Sequence, residues 1–127
     1  EPTAMADAYT MIKALVARNP AAKIRLAVNQ ADRQEDADRV AERIVSTARN
    51  FLGVEVRHVG TIPRDPHVWQ AVRQKVPYVL SYPGAPASRA VRAMVDRLVG
   101  DVAAGPPARA GTFFSRLAGI FSRSSSL

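Results

Sequence analysis

Residues 23–29 (KIRLAVN) decide the fold class, because every second residue from position 24 onwards is apolar. Alternation over so short a run predicts a half-buried β-strand. A helical pattern follows over residues 32–53, and residues 54–60 (VEVRHVG) indicate a second strand. A strand, a helix and a strand in this order predict a β-α-β unit with parallel strands.

Capping signals set the predicted ends of the helices. Residues 32–35 (DRQE) have the form of a capping box, here with Asp32 as the N-cap, and the helix that follows ends near Gly53. Asp65 can cap a short helix that has Pro66 at its first position. The remaining predictions are a helix over residues 3–18, a loop over residues 61–66, a stop at Pro77, an extended segment over residues 78–82 and a helix over residues 86–99 closed by Gly100.

The order of elements predicts an α/β fold, namely the C-terminal part of a doubly wound, mainly parallel sheet. A parallel sheet needs cover on both faces and usually has more than two strands. The chain also begins with Glu, and no Met precedes Met5. We therefore expect it to be a piece of a longer protein whose other strands come earlier in the sequence.

Composition excludes several classes of protein. The chain has 127 residues and a mass of 13.7 kDa, which is the size of one domain. With no Cys and two His, a disulfide scaffold, a thiolate zinc site and a Cys nucleophile are excluded, and a His-based metal site is not expected. No run of about 18 apolar residues occurs in the sequence. We therefore expect a cytoplasmic protein, peripheral on the inner face of the cell membrane.

The membrane expectation comes from the end of the chain. Residues 101–111 (DVAAGPPARAG) have the composition of a linker, and residues 107–127 carry three Arg and no acid. In a helix over residues 113–123, the large apolar side chains fall within an arc of about 120°, as in helices that lie in a membrane interface. The alternative is a helix that docks on its own domain, and the two states can alternate. The predicted membrane residues are Phe113, Phe114, Leu117, Ile120 and Phe121 on the apolar face, with Arg116 and Arg123 outside it.

Three stretches in order along the chain carry a resemblance. They are EPT at residues 1–3 with DAY at residues 7–9, then VNQA at residues 28–31, then GTIPRD at residues 60–65 followed by Val68, AVR at residues 71–73, Pro77 and YP at residues 82–83. Together they resemble the C-terminal half of MinD/ParA-type P-loop ATPases, and most of all the flagellar-number regulators of that family (FlhG/FleN). On this resemblance, residues 1–100 are the C-terminal half of a nucleotide-binding domain, residues 101–111 a linker, and residues 112–127 an amphipathic membrane-targeting helix and tail.

The resemblance implies an adenine site. Asn29 occupies the position that reads the base, Pro63 would pack on the ring, and backbone groups near Arg64 and Asp65 would contact it. The chemistry is suitable, because a side-chain amide offers a base edge both a donor and an acceptor. Both segments follow strands, at the edge where open α/β sheets bind ligands. The alternatives are that Asn29 is a turn residue capping the next helix, and that Asp65 is only a helix cap.

The sequence lacks the phosphate-binding side of such a nucleotide site. No G-x-x-x-x-G-K-[ST] occurs in residues 1–127, so no loop of this type cradles phosphate. The resemblance implies that ATP and Mg²⁺ bind in a complete protein whose phosphate and metal contacts lie outside this chain. The 127-residue chain is therefore not expected to hydrolyse ATP by itself.

The resemblance also implies a function and partners. The complete protein would dimerise with ATP, sit on an anionic membrane, and regulate flagellar number and placement. Its partners would include a signal-recognition-particle-type GTPase, flagellar switch proteins and a transcriptional activator. One alternative is a partition-type protein that binds DNA without sequence preference through Arg-rich surfaces. Another is a structural adaptor that has lost nucleotide binding.

Three aromatic side chains are predicted to lie outside the site. Trp69 is expected to be a core or packing residue, not a platform for a ligand. His58 and His67 have no acidic partner at an obvious spacing, so both are expected at a surface or an interface.

Overall fold

The computed structural model describes residues 2–103. The chain divides into two units, of which the first ends at Val95 and the second begins at Asp96, and the site discussed below lies in the first. The described residues contain two strands and five helices: α1 (Pro2–Arg18), β1 (Ile24–Ala31), α2 (Gln34–Leu52), β2 (Val56–Pro63), α3 (Pro66–Gln74), α4 (Tyr78–Ser81) and α5 (Pro86–Ala103).

The two strands pair in parallel, as the sequence predicts. Ile24 lies beside Val56 at the start of the pair, and Ala31 lies beside Pro63 at its end. The register shifts once between Leu26 and Ala27 and again towards Ala31. Because the strands are parallel, their carboxyl ends lie side by side, so the segments that follow them meet at one edge of the sheet.

One hydrophobic cluster holds α1 and α2 against the sheet. The apolar positions of β1 alternate with exposed ones along the strand, which confirms the predicted half-buried strand. Each large apolar side chain that is fully buried stabilises the fold by about 1.5–3 kcal/mol. The buried members of the cluster are Ile12 from α1, Ile24 from β1, Ile44 and Ala48 from α2, and Val56 from β2.

The predicted capping box at the start of α2 is wrong. The N-cap is Arg33, which makes no side-chain capping hydrogen bond. The carboxylate of Asp32 instead pairs with Arg64 Nε at 2.9 Å, and Glu35 pairs with Arg33 Nη2 at 3.1 Å. Arg64, which follows β2, thus forms an ion pair with the carboxylate that was predicted to cap α2. The predicted end is confirmed, since Gly53 adopts the left-handed conformation and its N–H donates to the Arg49 carbonyl, while the Val54 N–H donates to the Ala48 carbonyl.

Three other predicted boundaries are wrong. Residues 61–63, predicted as a loop, continue β2, because Thr61 and Pro63 still pair with β1. Residues 78–81, predicted as extended, form the short helix α4, whose Tyr78 carbonyl accepts the Tyr82 N–H at 2.8 Å. Helix α5 does not stop at Gly100 but runs to Ala103, into the predicted linker.

The predicted membrane helix cannot be compared with the structure. Residues 104–127, which include the rest of the linker and the whole amphipathic segment, lie outside the described residues. Among the residues that are described, no helix has the length and apolar character needed to cross a bilayer.

Candidate functional site

A pocket of about 360 Å³ lies at the carboxyl ends of the two strands. Its volume is within the usual range for small-molecule sites. All four residues that the sequence assigns to an adenine site line this pocket, although they come from two separate segments. The lining residues are Asn29, Gln30, Ile62, Pro63, Arg64, Asp65, Pro66, Val68, Trp69 and Tyr78.

The parallel pairing explains why the predicted residues meet. Asn29 lies near the end of β1, and Pro63 is the last residue of β2. The backbone N–H of Arg64 donates to the Ala31 carbonyl at 2.9 Å, which extends the pairing by one more hydrogen bond. The structure therefore brings the predicted residues to one place, and their binding of a base stays a prediction.

Asn29 presents its amide at the surface of the pocket. Its side-chain Oδ1 accepts the backbone N–H of the next residue, Gln30, at 2.9 Å. No hydrogen bond from the Asn29 Nδ2 occurs among the described residues, so both of its N–H groups are available to a ligand. The alternative that Asn29 caps the next helix is wrong, because α2 begins after Arg33 and has no side-chain cap.

Gln30 has an unusual backbone conformation. Its φ is +56°, and it is one of two non-glycine residues in the described part of the chain with a positive φ. The left-handed conformation costs a residue with a Cβ about 1 kcal/mol or more, and such residues are frequent at ligand sites. In this case the strain lies in the wall of the pocket, next to Asn29.

The side chain of Arg64 is held at the rim. Its Nε lies 2.9 Å from Asp32 Oδ1, and both side chains are exposed. Such a pair is worth about 0–1 kcal/mol, so it contributes little to stability. The ion pair instead links the segment after β2 to the segment after β1 at the rim of the pocket.

Asp65 is a buried helix cap. Its side chain is 2% exposed. Oδ1 accepts the His67 backbone N–H at 3.0 Å and lies 2.8 Å from His67 Nδ1. Oδ2 accepts the backbone N–H of Ala87, in the first turn of α5, at 3.0 Å. The predicted cap with Pro66 at the first helical position is confirmed. Both carboxylate oxygens are engaged, and the Asp65 carbonyl accepts the Val68 N–H at 3.1 Å, which leaves the backbone N–H at this position for a ligand.

These hydrogen bonds lower the pKa of Asp65. The backbone N–H of Ala87 makes the largest contribution, and the hydrogen bonds from His67 act in the same direction, against the effect of burial. The expectation that His67 lacks an acidic partner was wrong, since the partner is two residues away. The His67 ring also packs on Tyr82, with 4.9 Å between ring centroids.

Trp69 was missed as a pocket residue. It is 73% exposed, so the prediction that it packs in the core is wrong, and it is one of the residues that line the pocket. Helix α3 buries Ala71 instead, which is 1% exposed. At 100° per residue, Trp69 and Ala71 differ by about 200° around the helix. Ala71 therefore faces the protein and Trp69 lies on the side of the pocket. The helical period alone does not predict which of the two sides is buried.

The described residues offer no metal centre. Within residues 2–103, no group of three or more His, Asp or Glu side chains is placed to hold an ion. The pocket therefore supplies an amide, apolar surface and backbone groups, but no ligand set for Mg²⁺ among these residues.

A β-α-β unit with a pocket at the carboxyl ends of its parallel strands is consistent with part of a P-loop-type α/β fold. No protein-family model matches the chain. Over 98 residues it is 29% identical to the antiactivator FleN of Pseudomonas aeruginosa, covering 77% of this chain and 35% of FleN. Over 63 residues it is 36% identical to an uncharacterized ATP-binding protein of Methanocaldococcus jannaschii, covering 44% of this chain and 24% of that protein.

These similarities confirm the resemblance. The chain is homologous to part of a MinD/ParA-like protein of the FlhG/FleN kind. It spans about a third of the length of FleN and about a quarter of the length of the archaeal protein.

Proposed function

We propose that this chain carries the adenine-recognition side of an ATP-binding switch protein related to FleN. The observation that supports this most is geometric: Asn29 at the end of β1 and residues 63–65 at the end of β2 line one pocket. One of the two relatives is described as ATP-binding. The two segments lie far apart in the sequence, and the resemblance assigned both to the same ligand.

The pocket has the chemical groups that a purine needs. A base presents hydrogen-bonding groups at its edge and apolar surface on its two faces. The Asn29 Nδ2 supplies donors for the edge, Oδ1 has a second lone pair beside the one that accepts the Gln30 N–H, and the Pro63 ring supplies an apolar surface for a face. The Arg64 N–H and the Asp65 carbonyl are already used within the chain, since they pair with Ala31 and Val68. The Arg64 carbonyl and the Asp65 N–H are the backbone groups of this segment that would face the edge of the base.

The base alone should bind weakly. Adenine has about ten non-hydrogen atoms, and at about 0.3 kcal/mol per atom it gains about 3 kcal/mol, which corresponds to a dissociation constant in the millimolar range or weaker. Tight binding of ATP with Mg²⁺ needs phosphate contacts from a loop that residues 1–127 do not contain. In this proposal the chain selects the base, and a separate part of the complete protein holds the phosphates.

We further propose that nucleotide binding controls attachment to a membrane. The predicted helix over residues 113–123 combines an apolar arc with Arg and no acid. One such helix binds reversibly, because ordering about ten residues offsets most of the gain from burying five large side chains. Two copies in an ATP-dependent homodimer gain avidity, so that dimerisation would set the time spent on the membrane.

The regulatory role follows from the relation to FleN, which is described as an antiactivator. We propose that the complete protein controls flagellar number and placement. Its partners would be a signal-recognition-particle-type GTPase, flagellar switch proteins and a transcriptional activator.

A second candidate function is binding of DNA. Lys23, Arg25, Arg49 and Arg57 line a depression of about 490 Å³ where the strands begin, at the opposite end of the sheet from the pocket. Glu55 lies among these cations, and Arg25 and Arg57 already make other interactions, so Lys23 and Arg49 are the residues proposed to contact phosphates. Binding of this kind weakens steeply as the salt concentration rises. A gel-shift series at increasing salt, with Lys23→Ala and Arg49→Ala in one variant, tests this candidate. Binding that is lost in the variant favours DNA, and the absence of any shift at low salt rules it out.

The adenine proposal is tested by titrating the 127-residue chain with AMP and following the backbone amide resonances by NMR. We expect shifts at residues 29–31 and 62–66, and a dissociation constant raised at least about fivefold in Asn29→Ala, since one polar contact is worth about 1 kcal/mol or more. Asn50→Ala, an exposed asparagine on α2, is the matched control and should bind as the original chain does. Equal binding by Asn29→Ala, or shifts away from the pocket, would contradict the proposal.

A further inference from the structure

Trp69 is the single tryptophan of the chain and lies in the wall of the pocket. We infer that its indole stacks on the base of the bound nucleotide, which makes this position an aromatic platform in the same pocket as the amide of Asn29. The inference rests on the proposed function and adds to it a residue that neither the sequence motifs nor the comparisons assign.

The first argument is the chemistry of the pocket wall. Besides the amide of Asn29, the pocket is lined by apolar residues, which include Ile62, Pro63, Val68 and Trp69. Indole and purine are both flat and aromatic, and base–aromatic stacking favours any base because each has a π-face. Asn29 can satisfy the edge of a purine, and the indole adds a face that proline alone cannot match in area.

The second argument is that the backbone at Trp69 is held in place before any ligand binds. Trp69 is the fourth residue of α3, whose start is held by the Asp65 cap and by Pro66 at the first position. Ala71 anchors the opposite side of the same helix at 1% exposure. The backbone that carries the indole therefore needs no rearrangement on binding, which lowers the entropic cost of stacking.

The third argument weighs the competing use of Trp69 as an anchor for another protein. Val72, Val76 and Leu80 are also large, apolar and exposed, so the region of α3 and α4 carries more apolar surface than the pocket uses. None of these three side chains lines the pocket, whereas Trp69 does. The placement thus favours a ligand in the pocket over a partner on the helix surface, and the partner becomes an outcome of the test.

Stacking also predicts a preference among ligands. Purines offer a larger face than pyrimidines, so AMP should bind more tightly than CMP, and ribose 5-phosphate, which has no base, should not engage Trp69. Replacing a stacking aromatic residue by a non-aromatic one weakens binding of a base at least about fivefold. The conservative replacement by Phe keeps a π-face and should lose less.

The experiment uses the emission of this single tryptophan in the full 127-residue chain. With excitation at the red edge of the indole band, AMP should quench the emission saturably, and ribose 5-phosphate should not. The affinity is measured separately by ligand-observed NMR for the original chain, Trp69→Leu, Trp69→Phe and the control Val72→Ala. We expect a loss of at least about fivefold in Trp69→Leu, a smaller loss in Trp69→Phe and none in Val72→Ala. Circular dichroism of each variant checks that the fold is retained.

The outcomes separate this inference from the proposed function. If AMP binds and depends on Asn29, but quenches nothing and binds Trp69→Leu as tightly as the original chain, the Trp69 inference is wrong and the proposed function stands. If AMP does not bind, or binds without dependence on Asn29, both are wrong. If Trp69→Leu changes only the self-association of the chain and not the affinity for AMP, the tryptophan belongs to a protein interface and the inference is overturned.

Discussion

The Asp65 carboxylate and the Ala87 backbone N–H are joined by a 3.0 Å hydrogen bond across 22 residues of sequence. The same carboxylate caps α3, so a single side chain fixes the starts of two helices, α3 and α5. Since α3 carries Trp69 and begins directly after the pocket residues 63–64, this bond links the start of a pocket-lining helix to the start of α5. The roles of Asp65 as a cap and as part of a ligand site are therefore compatible, because the side chain and the carbonyl hold α3 and the backbone N–H is left for a ligand.

Removing this carboxylate should destabilise the fold. Asp65→Ala loses a helix cap, worth about 1–2 kcal/mol, and leaves the Ala87 N–H without its partner, which costs about 1–3 kcal/mol more. We expect the free energy of unfolding, measured by urea denaturation, to fall by about 3 kcal/mol. Glu42→Gln, at an exposed position of α2, is the control and should change it by less than about 0.5 kcal/mol. A loss in Asp65→Ala no larger than that of the control would show that the carboxylate does not hold the two helices.

The lowered pKa of Asp65 predicts how stability depends on pH. The ordinary value is 3.8, and the folded-state pKa lies below it. The stabilisation is therefore fully present above the ordinary value and is lost as the pH falls through the folded-state pKa, where the carboxylate becomes protonated. Urea denaturation in steps from neutral pH into this acid range should show a fall in the free energy of unfolding. In Asp65→Asn, which has no charge to titrate, the fall should be shallower, and parallel curves for the two proteins would assign the acid sensitivity to other groups.

The glycine at the end of α2 should be sensitive for a different reason. Gly53 has a φ of +65°, and no atom lies within 4 Å of the point that a Cβ would occupy, so a methyl group there meets no steric obstacle. Gly53→Ala should still cost about 1 kcal/mol, because a residue with a Cβ is strained in the left-handed conformation. Gly84 has equally open surroundings without a positive φ, and Gly84→Ala is the matched control with no expected loss. Equal thermal midpoints for the two variants would contradict the argument from backbone conformation.

The sequence predicts the features that depend on local pattern. The alternation in β1, the parallel β-α-β unit, the cap at Asp65 and the glycine end of α2 all follow from residue type and spacing. The capping box at Asp32 failed because Arg64, from the segment after the other strand, takes its carboxylate. Such a contact depends on the register of the sheet, which the pattern of a single segment does not contain.

The same limit explains what the sequence missed in the site. The resemblance placed Asn29, Pro63, Arg64 and Asp65 in a site, and parallel pairing brings them to one pocket. It did not indicate Trp69, since a large aromatic residue on an amphipathic helix is usually buried. Only the packing of Ala71 against the protein shows which side of α3 remains open. A pocket residue within a motif can thus be predicted from the order of the motifs. An exposed pocket residue outside the motifs can be found only once the tertiary contacts are known.

Membrane attachment through the end of the chain remains a prediction, and it is open to a direct test. Phe114→Asp together with Phe121→Asp places two charges in the apolar arc, where a buried carboxylate is strongly disfavoured. Sedimentation with vesicles that contain anionic lipid should lose the chain from the pellet in this variant. The control is Phe51→Asp, at an exposed phenylalanine on α2, which adds the same kind of charge outside the predicted helix and should leave binding unchanged. Retained binding by the double variant would contradict the membrane role of residues 113–123. An equal loss of binding in the control would show that the change in net charge, and not the apolar arc, explains the effect.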